Sequence, residues 1–203
     1  MNIIQCELPG LILFEPRAFG DERGFFMETW RQDRYREAGI CEEFVQDNLS
    51  LSRRGVLRGL HFQHPNDQGK LVGCLQGAIF DVAVDIRRGS PDFGRAYGVE
   101  LSAENRRQLY IPPGFAHGFC VVSDQALFSY KCTDYYAPAQ EGTVLWNDPA
   151  LGIDWPVDVP ELSPKDRAGL CLKDIPVDRL PPYPSAVSPS ETLARPYPDR
   201  EQP

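Results

Sequence analysis

Two of the chain's three histidines, an arginine and a lysine fall in one short stretch. It runs Leu57-Arg58-Gly59-Leu60-His61-Phe62-Gln63-His64 and closes with Gln68-Gly69-Lys70. Imidazoles exchange protons near neutral pH, and a guanidinium beside an ammonium suits an anion. The stretch reads as strand, so Leu57, Gly59, His61 and Gln63 share one side and Arg58, Leu60, Phe62 and His64 the other. Such a strand either lines a cavity or presents a charged face at a sheet edge. The third histidine lies in Tyr110-Ile111-Pro112-Pro113-Gly114-Phe115-Ala116-His117-Gly118-Phe119. Pro112 and Gly114 make a tight bend that delivers His117 just before an apolar strand, Phe119 to Val122. Three imidazoles also raise a metal. His61 and His64, three apart on one strand, face opposite sides and so cannot readily ligate one ion.

The elements that must position these groups are mostly short strands. Leu11 to Glu15, Phe25 to Trp30, Gln46 to Ser52 and Leu71 to Gln76 each read as one, with glycine-rich turns between them such as Gly20-Asp21-Glu22-Arg23-Gly24. From Ala78 to Ile86, Phe80, Val82, Val84 and Ile86 alternate with Asp81, Ala83 and Asp85. The two aspartates therefore face either solvent or a barrel interior. Arg31 to Ala38, stopped by Gly39, is the one convincing early helix. Many short strands with little helix predict an all-β sandwich or barrel. After Asp174 come Pro176, Pro181, Pro182, Pro184, Pro189, Pro196, Pro198 and Pro203. Proline removes ladder donors, so residues 175–203 are expected to form an extended arm, docked at first and disordered toward its end, after a domain spanning 1–174.

The chain has 203 residues, enough for one domain with a substantial core. With 21 basic against 29 acidic side chains its formal net charge is −8. That argues against a general nucleic-acid or anionic-membrane surface, while Arg23, Arg53, Arg54, Arg58 and Lys70 leave room for a local anion pocket. The six cysteines form no close C-x-x-C pair, and reduced, buried thiols in a cytoplasmic protein are expected. No basic segment followed by a long apolar run opens the chain, and no stretch is long and apolar enough to span a bilayer as a helix.

The bend before His117 is similar to the second motif of the cupin β-barrels, double-sheet jelly rolls with a ligand site in their mouths. A more specific likeness covers residues 1 to about 174, which resemble the dTDP-4-dehydrorhamnose 3,5-epimerase family. The matching segments are Gly20 to Glu28, Gln46-Asp47-Asn48-Leu49-Ser50, Leu57 to Gln63, Gln68 to Val72 and Phe80 to Pro91. Further on they are Gln108 to Phe119, Tyr130 to Tyr136 and Leu162-Ser163-Pro164-Lys165-Asp166. The resemblance implies a cupin-type double-stranded β-helix and a homodimer that needs no metal or other cofactor. The implied substrate is a dTDP-4-keto-6-deoxy sugar, inverted at C3 and C5 through an enolate.

By the family pattern His61 is the base, Asp166 holds its tautomer, Tyr130 is the acid on the opposite face, and Lys70 sits near the C4 oxygen. Arg23, Glu28, Gln46, Asn48, Arg58, Lys70, His117, Glu141 and Lys165 match its contacts to nucleotide, diphosphate and sugar. Taken singly, Tyr130 reads as a core aromatic and Asp166 as the N3 member of a helix-capping box with Ser163, and Lys70 also fits a solvated turn residue; it is the ordered set that points to catalysis. Three other activities fit parts of the pattern. One is a mono-epimerase acting at C3 or C5 alone, and another a metal-dependent cupin oxygenase or isomerase using His61, His64 and His117. The third is a non-catalytic sugar-nucleotide-binding cupin.

Overall fold

A computed structural model describes residues 1–183. The strands in chain order are β1 (Asn2–Gln5), β2 (Ile12–Glu15), β3 (Ala18–Asp21), β4 (Gly24–Met27), β5 (Gln46–Arg53), β6 (Leu57–Gln63) and β7 (Lys70–Gln76). They continue with β8 (Ala78–Asp85), β9 (Ala96–Ser102), β10 (Gln108–Ile111), β11 (Phe115–Val121), β12 (Gln125–Cys132) and β13 (Glu141–Thr143). The helices are α1 (Gln32–Glu37) and α2 (Pro164–Arg167), with a few single 3-10 turns. A six-stranded sheet ordered β1-β2-β10-β7-β12-β5 faces a five-stranded sheet ordered β13-β6-β11-β8-β9, and β3-β4 stands apart as a hairpin. This is the jelly-roll barrel expected. The strand expected from Phe25 to Trp30 is shorter, because the chain leaves the hairpin after Met27 and lays Trp30 against Tyr35 and Phe44.

Three apolar clusters hold the layers. Leu11, Leu13, Val72, Ile79, Leu109 and Phe128 fill the space between the sheets. Tyr35 and Ile40, from α1 and the segment after it, pack with Phe14, Leu71 and Tyr110. Outside the five-stranded sheet, Val82, Val84 and Ile86 meet Leu151, Leu172, Ile175 and Leu180. Strand β8 is therefore buried on both faces. Asp81 and Asp85 point away from that outer layer and are wholly buried, as the barrel-interior alternative requires. Asp85 is met by Arg87 at 2.7 Å and by the Ser90 hydroxyl at 2.7 Å.

Residues 175–183 dock on the barrel. Ile175 and Leu180 are buried, and the Arg88 amide donates to the Pro181 carbonyl at 2.7 Å. The rest of the expected arm, residues 184–203, lies outside the described residues. All six cysteines are free thiols, but only Cys74, Cys120 and Cys132 are buried as expected; Cys6 and Cys171 are partly buried and Cys41 is exposed.

Strands β6 and β11 touch backbone to backbone at Gly59 and Gly118. Gly59 has φ +117°, and a Cβ there would lie 2.5 Å from the Gly118 Cα and 2.6 Å from the His117 carbonyl oxygen. Gly59→Ala is expected to lower unfolding stability by about 2–5 kcal/mol through backbone strain and overpacking together. A thermal or urea melt indistinguishable from that of the unaltered chain would contradict the close crossing.

Candidate active site

That crossing has a consequence for chemistry, since it registers His61 directly opposite His117. Both line a cavity of about 340 Å³ between the two sheets. From the five-stranded sheet come Arg58 and His61 on β6, His117 on β11 and Glu141 on β13. Strict alternation puts Arg58 and His61 on opposite sides, but an irregularity in the β6–β11 register between them turns both to the cavity. The facing wall carries Gln46 and Asn48 on β5, Lys70 on β7, and Tyr130 and Cys132 on β12. Register places Tyr130 beside Asn48, and Cys132 between Gln46 and Lys70. Lys165 on α2 and Tyr136 in the segment after β12 complete the rim.

The inward side of β5 is polar (Gln46, Asn48, Ser50, Ser52), while Leu49 and Leu51 face outward at 64% and 61% exposure. A strand that buries its polar side does so to serve something inside the barrel.

Behind His61, Asp166 is almost wholly buried. His61 Nε2 donates to Asp166 Oδ1 at 2.5 Å, because a carboxylate only accepts. That leaves His61 Nδ1 with the free lone pair. The Ser163 hydroxyl donates to Asp166 Oδ2 at 2.7 Å and accepts from the Asp166 amide at 3.1 Å. Ser163 thus caps α2 and also fixes the carboxylate that orients the imidazole. Asp166 belongs to the cap and holds the histidine, with its return bond made to the Ser163 hydroxyl rather than to the amide of a full capping box. Burial pushes the Asp166 carboxyl up, but the hydrogen bonds from His61 and Ser163 outweigh it and leave the pKa below its ordinary 3.8.

A second pair lies alongside. His117 Nε2 donates to Asp81 Oδ2 at 2.9 Å, and Asp81 Oδ1 has no partner among the described residues. Burial lowers the His117 pKa below 6.5, only partly opposed by Asp81. Burial also lowers the Lys70 ammonium, with Cys132, Asp81 and Glu141 pulling the other way. Unlike Lys131 and Lys165, Lys70 makes no ion pair among the described residues. Its setting is the cavity wall rather than a solvated turn. Tyr130 is half-buried against Phe128, and burial raises its phenol above 10, which keeps it a proton donor at neutral pH.

At the rim, Glu141 accepts from Lys165 Nζ at 2.7 Å and from the Tyr136 hydroxyl at 2.9 Å. Burial pushes this carboxyl up as well, and its two donors bring it below 4.5. The Tyr136 amide in turn donates to Gln46 Oε1 at 3.0 Å.

Nine of the residues singled out from sequence therefore line one cavity: His61, Tyr130, Lys70, Gln46, Asn48, Arg58, His117, Glu141 and Lys165. Arg23 and Glu28 do not. Arg23 pairs with Asp21 at the exposed tip of the β3–β4 hairpin, and Glu28 pairs with Arg34 in a separate surface hollow. His64 also stays out of the cavity and bonds Asp67 at 3.1 Å. Among the described residues no group of three or more His, Cys, Asp or Glu side chains is arranged to hold a metal ion.

Sequence reasoning left out Asp81, Cys132 and Tyr136. Asp81 had a usable signal, a carboxylate inside a strand otherwise apolar enough to be buried on both faces. Tyr136 and Cys132 had none beyond lying near Tyr130.

The two histidine–aspartate pairs predict acid lability with a definite sign. The unfolded chain protonates His117 near pH 6.5, whereas the folded one resists until lower pH. The unfolded state then binds more protons in that window, so stability present above pH 6.5 is lost as pH falls toward the depressed value. Asp166 adds a second loss below its ordinary 3.8. The melting temperature is expected to begin falling below about pH 6.5, and His117→Asn to remove the upper part of that fall. Identical profiles for the two proteins would overturn the assignment.

Three comparisons bear on what such a site does. A family model described as dTDP-4-dehydrorhamnose 3,5-epimerase matches residues 5–174. A dTDP-4-dehydrorhamnose 3,5-epimerase of Shigella flexneri is 58% identical over 171 residues, covering 83% of this chain and 94% of that protein. One from Pseudomonas aeruginosa is 57% identical over 176 residues, covering 86% and 97%. The crystal structure of the Legionella pneumophila dTDP-6-deoxy-D-glucose-3,5-epimerase, in complex with dTDP-4-keto-L-rhamnose, aligns with a TM-score of 0.89 at 54% identity. It covers 91% of this chain and 99% of that one.

Proposed function

The chain belongs to the dTDP-4-dehydrorhamnose 3,5-epimerase family, and from that membership we propose that its cavity inverts C3 and C5 of dTDP-4-dehydro-6-deoxy-D-glucose, giving dTDP-4-dehydro-L-rhamnose. The observation that carries the assignment of roles is the placement of His61 and Tyr130 on opposite sheets, facing one cavity. Inversion requires that a proton leave one face of the sugar ring and another arrive on the opposite face. C3 and C5 both flank the C4 ketone, so one stabilised enolate oxygen serves both steps.

His61 Nδ1 takes the proton, and Asp166, gripping Nε2, favours the imidazolium that forms. Tyr130 returns a proton from the other wall. Lys70, a cavity-lining ammonium with no ion-pair partner among the described residues, meets the developing C4 oxyanion, with His117 beside it. A well-placed donor to such an oxygen is worth about 3 kcal/mol of barrier. Arg58, whose Nε is tied to the Ser52 hydroxyl at 3.0 Å, keeps the rest of its fork for the diphosphate. Gln46, Asn48, Glu141 and Lys165 hold the nucleotide and sugar.

Arg23 and Glu28 join this site only through a second copy of the chain. The hairpin that bears Arg23 exposes Phe19, Phe25 and Phe26, and the outer face of the six-stranded sheet exposes Leu49, Leu51 and Leu75. A homodimer that covers these apolar residues and lays the hairpin at the partner's cavity accounts for both. Sedimentation equilibrium tests the dimer.

The deciding experiment is NMR of dTDP-4-keto-6-deoxyglucose in D₂O with the purified protein. Deuterium at both C3 and C5 supports the double epimerase. Label at one carbon would replace it with a mono-epimerase, and binding without label would leave only a sugar-nucleotide-binding cupin.

A further inference from the structure

The segment just beyond the family match, residues 175–183, reaches back to the active site through one side chain. Arg179 Nη2 donates to the backbone carbonyl of Glu141 at 3.0 Å. Strand β13 has only three residues and pairs on one side with β6, Glu141 opposite Gln63 and Thr143 opposite His61. Its other edge is held at the Thr143 end by Leu170 and at the Glu141 end by Arg179. There the Leu170 amide donates to the Thr143 carbonyl at 3.1 Å, and Arg179 takes the Glu141 carbonyl.

The segment that presents Arg179 is itself pinned at both ends. Ile175 and Leu180 are buried in the outer apolar layer. Arg87 lies between the rings of Phe115 and Tyr183, 4.5 Å and 4.9 Å from their centroids, and the Tyr183 amide donates to the Arg88 carbonyl at 2.9 Å.

We propose that residues 175–183 act as a strap and that Arg179 is a positioning residue for substrate binding, fixing β13 so that Glu141 holds Lys165 and Tyr136 at the cavity rim. This rests on the epimerase reading of the cavity, since it is that reading which makes Glu141 and Lys165 substrate contacts. Leu170 holds only the Thr143 end, so without Arg179 the Glu141 end of this short strand would be paired on one edge alone, and a strand end so held frays readily. Glu141 bonds two rim groups at once, so a small displacement of its backbone disturbs Lys165 and Tyr136 together. His61 is less exposed to the change, because Asp166 grips it directly and β11 pairs with it on the other side. Losing Arg179 therefore weakens binding more than turnover.

The test compares Arg179→Ala and Arg179→Lys in the full chain, using calorimetric titration with dTDP and steady-state kinetics on dTDP-4-keto-6-deoxyglucose. Arg179→Ala is expected to raise the dTDP Kd and the KM about fivefold, the equivalent of one backbone hydrogen bond. Turnover at saturation should stay within twofold, and Arg179→Lys should recover part of the loss. Unchanged Kd and KM, or a fall in turnover at constant KM, would overturn the proposal. Should the alanine variant not fold, Arg179→Gln, too short to span to the Glu141 carbonyl, is titrated instead with the same expectation. The dTDP titration needs no turnover. An unaltered chain that bound dTDP but exchanged no deuterium would sink the catalytic reading and leave the strap to be judged on Kd alone.

Discussion

His61→Ala is expected to abolish measurable deuterium exchange at both C3 and C5 while leaving the fold intact, with the melting temperature lowered only by the lost bond to Asp166. Positioned acid–base groups contribute about 10²–10⁴-fold each, and in the proposed mechanism the same imidazole serves both carbons. His61 is half-buried at the cavity wall, and its strand is held by the Gly59–Gly118 crossing and by the pairing with β11 and β13. Removing the ring therefore opens space in the cavity without unzipping the sheet. The variant's far-ultraviolet circular dichroism and dTDP affinity check that the fold and the nucleotide end survive. Residual epimerisation with an unaltered pH profile would contradict the role of base and shift attention to His117, the other imidazole lining the cavity.

Tyr130→Phe is the second large effect, and its signature is a split between two rates. Loss of substrate hydrogen to solvent reports proton abstraction, the step proposed for His61 on its own sheet. Formation of the inverted sugar needs a proton from the opposite wall, where Tyr130 stands beside Asn48 and Val72. Epimerisation should fall by about 10²-fold or more, with washout falling much less. Phenylalanine keeps the contact with Phe128, so stability should move little. If both rates fell together, the two groups would not be dividing the two faces of the sugar.

Much of this site was legible before any fold was known, because its residues sit in short segments whose order and spacing are specific. The alternation in β8, the His61 stretch and the bend before His117 each announce a strand, although the register irregularity that turns Arg58 and His61 to one side is not visible in the sequence. Three things were not legible, for physical reasons. The direction in which a strand faces follows from its partners rather than its own pattern. In β5 the leucines are outside and Gln46, Asn48 and Ser50 inside, the reverse of what period-two hydrophobicity suggests. Whether Asp166 belongs to a helix cap or holds a histidine could not be chosen locally, because it does both: its amide is capped by Ser163 while its carboxylate accepts from His61 and Ser163. Arg23 and Glu28 carry the family pattern, yet lie on a hairpin and beside it, away from this chain's cavity. Spacing along a chain says nothing about which copy of the chain a loop will serve.

The amino-acid order alone determined the β architecture, the catalytic candidates and the family, because period-two alternation, turn residues and ordered motifs are properties of neighbouring residues. Only the tertiary structure decided that His61 and Tyr130 occupy opposite walls, that Asp81 backs His117 and that Arg179 secures the edge of β13. The last two depend on residues 36 and 38 positions apart being brought within hydrogen-bond reach. Closing the sheets against each other does that, through burial of apolar faces that no local pattern can pair.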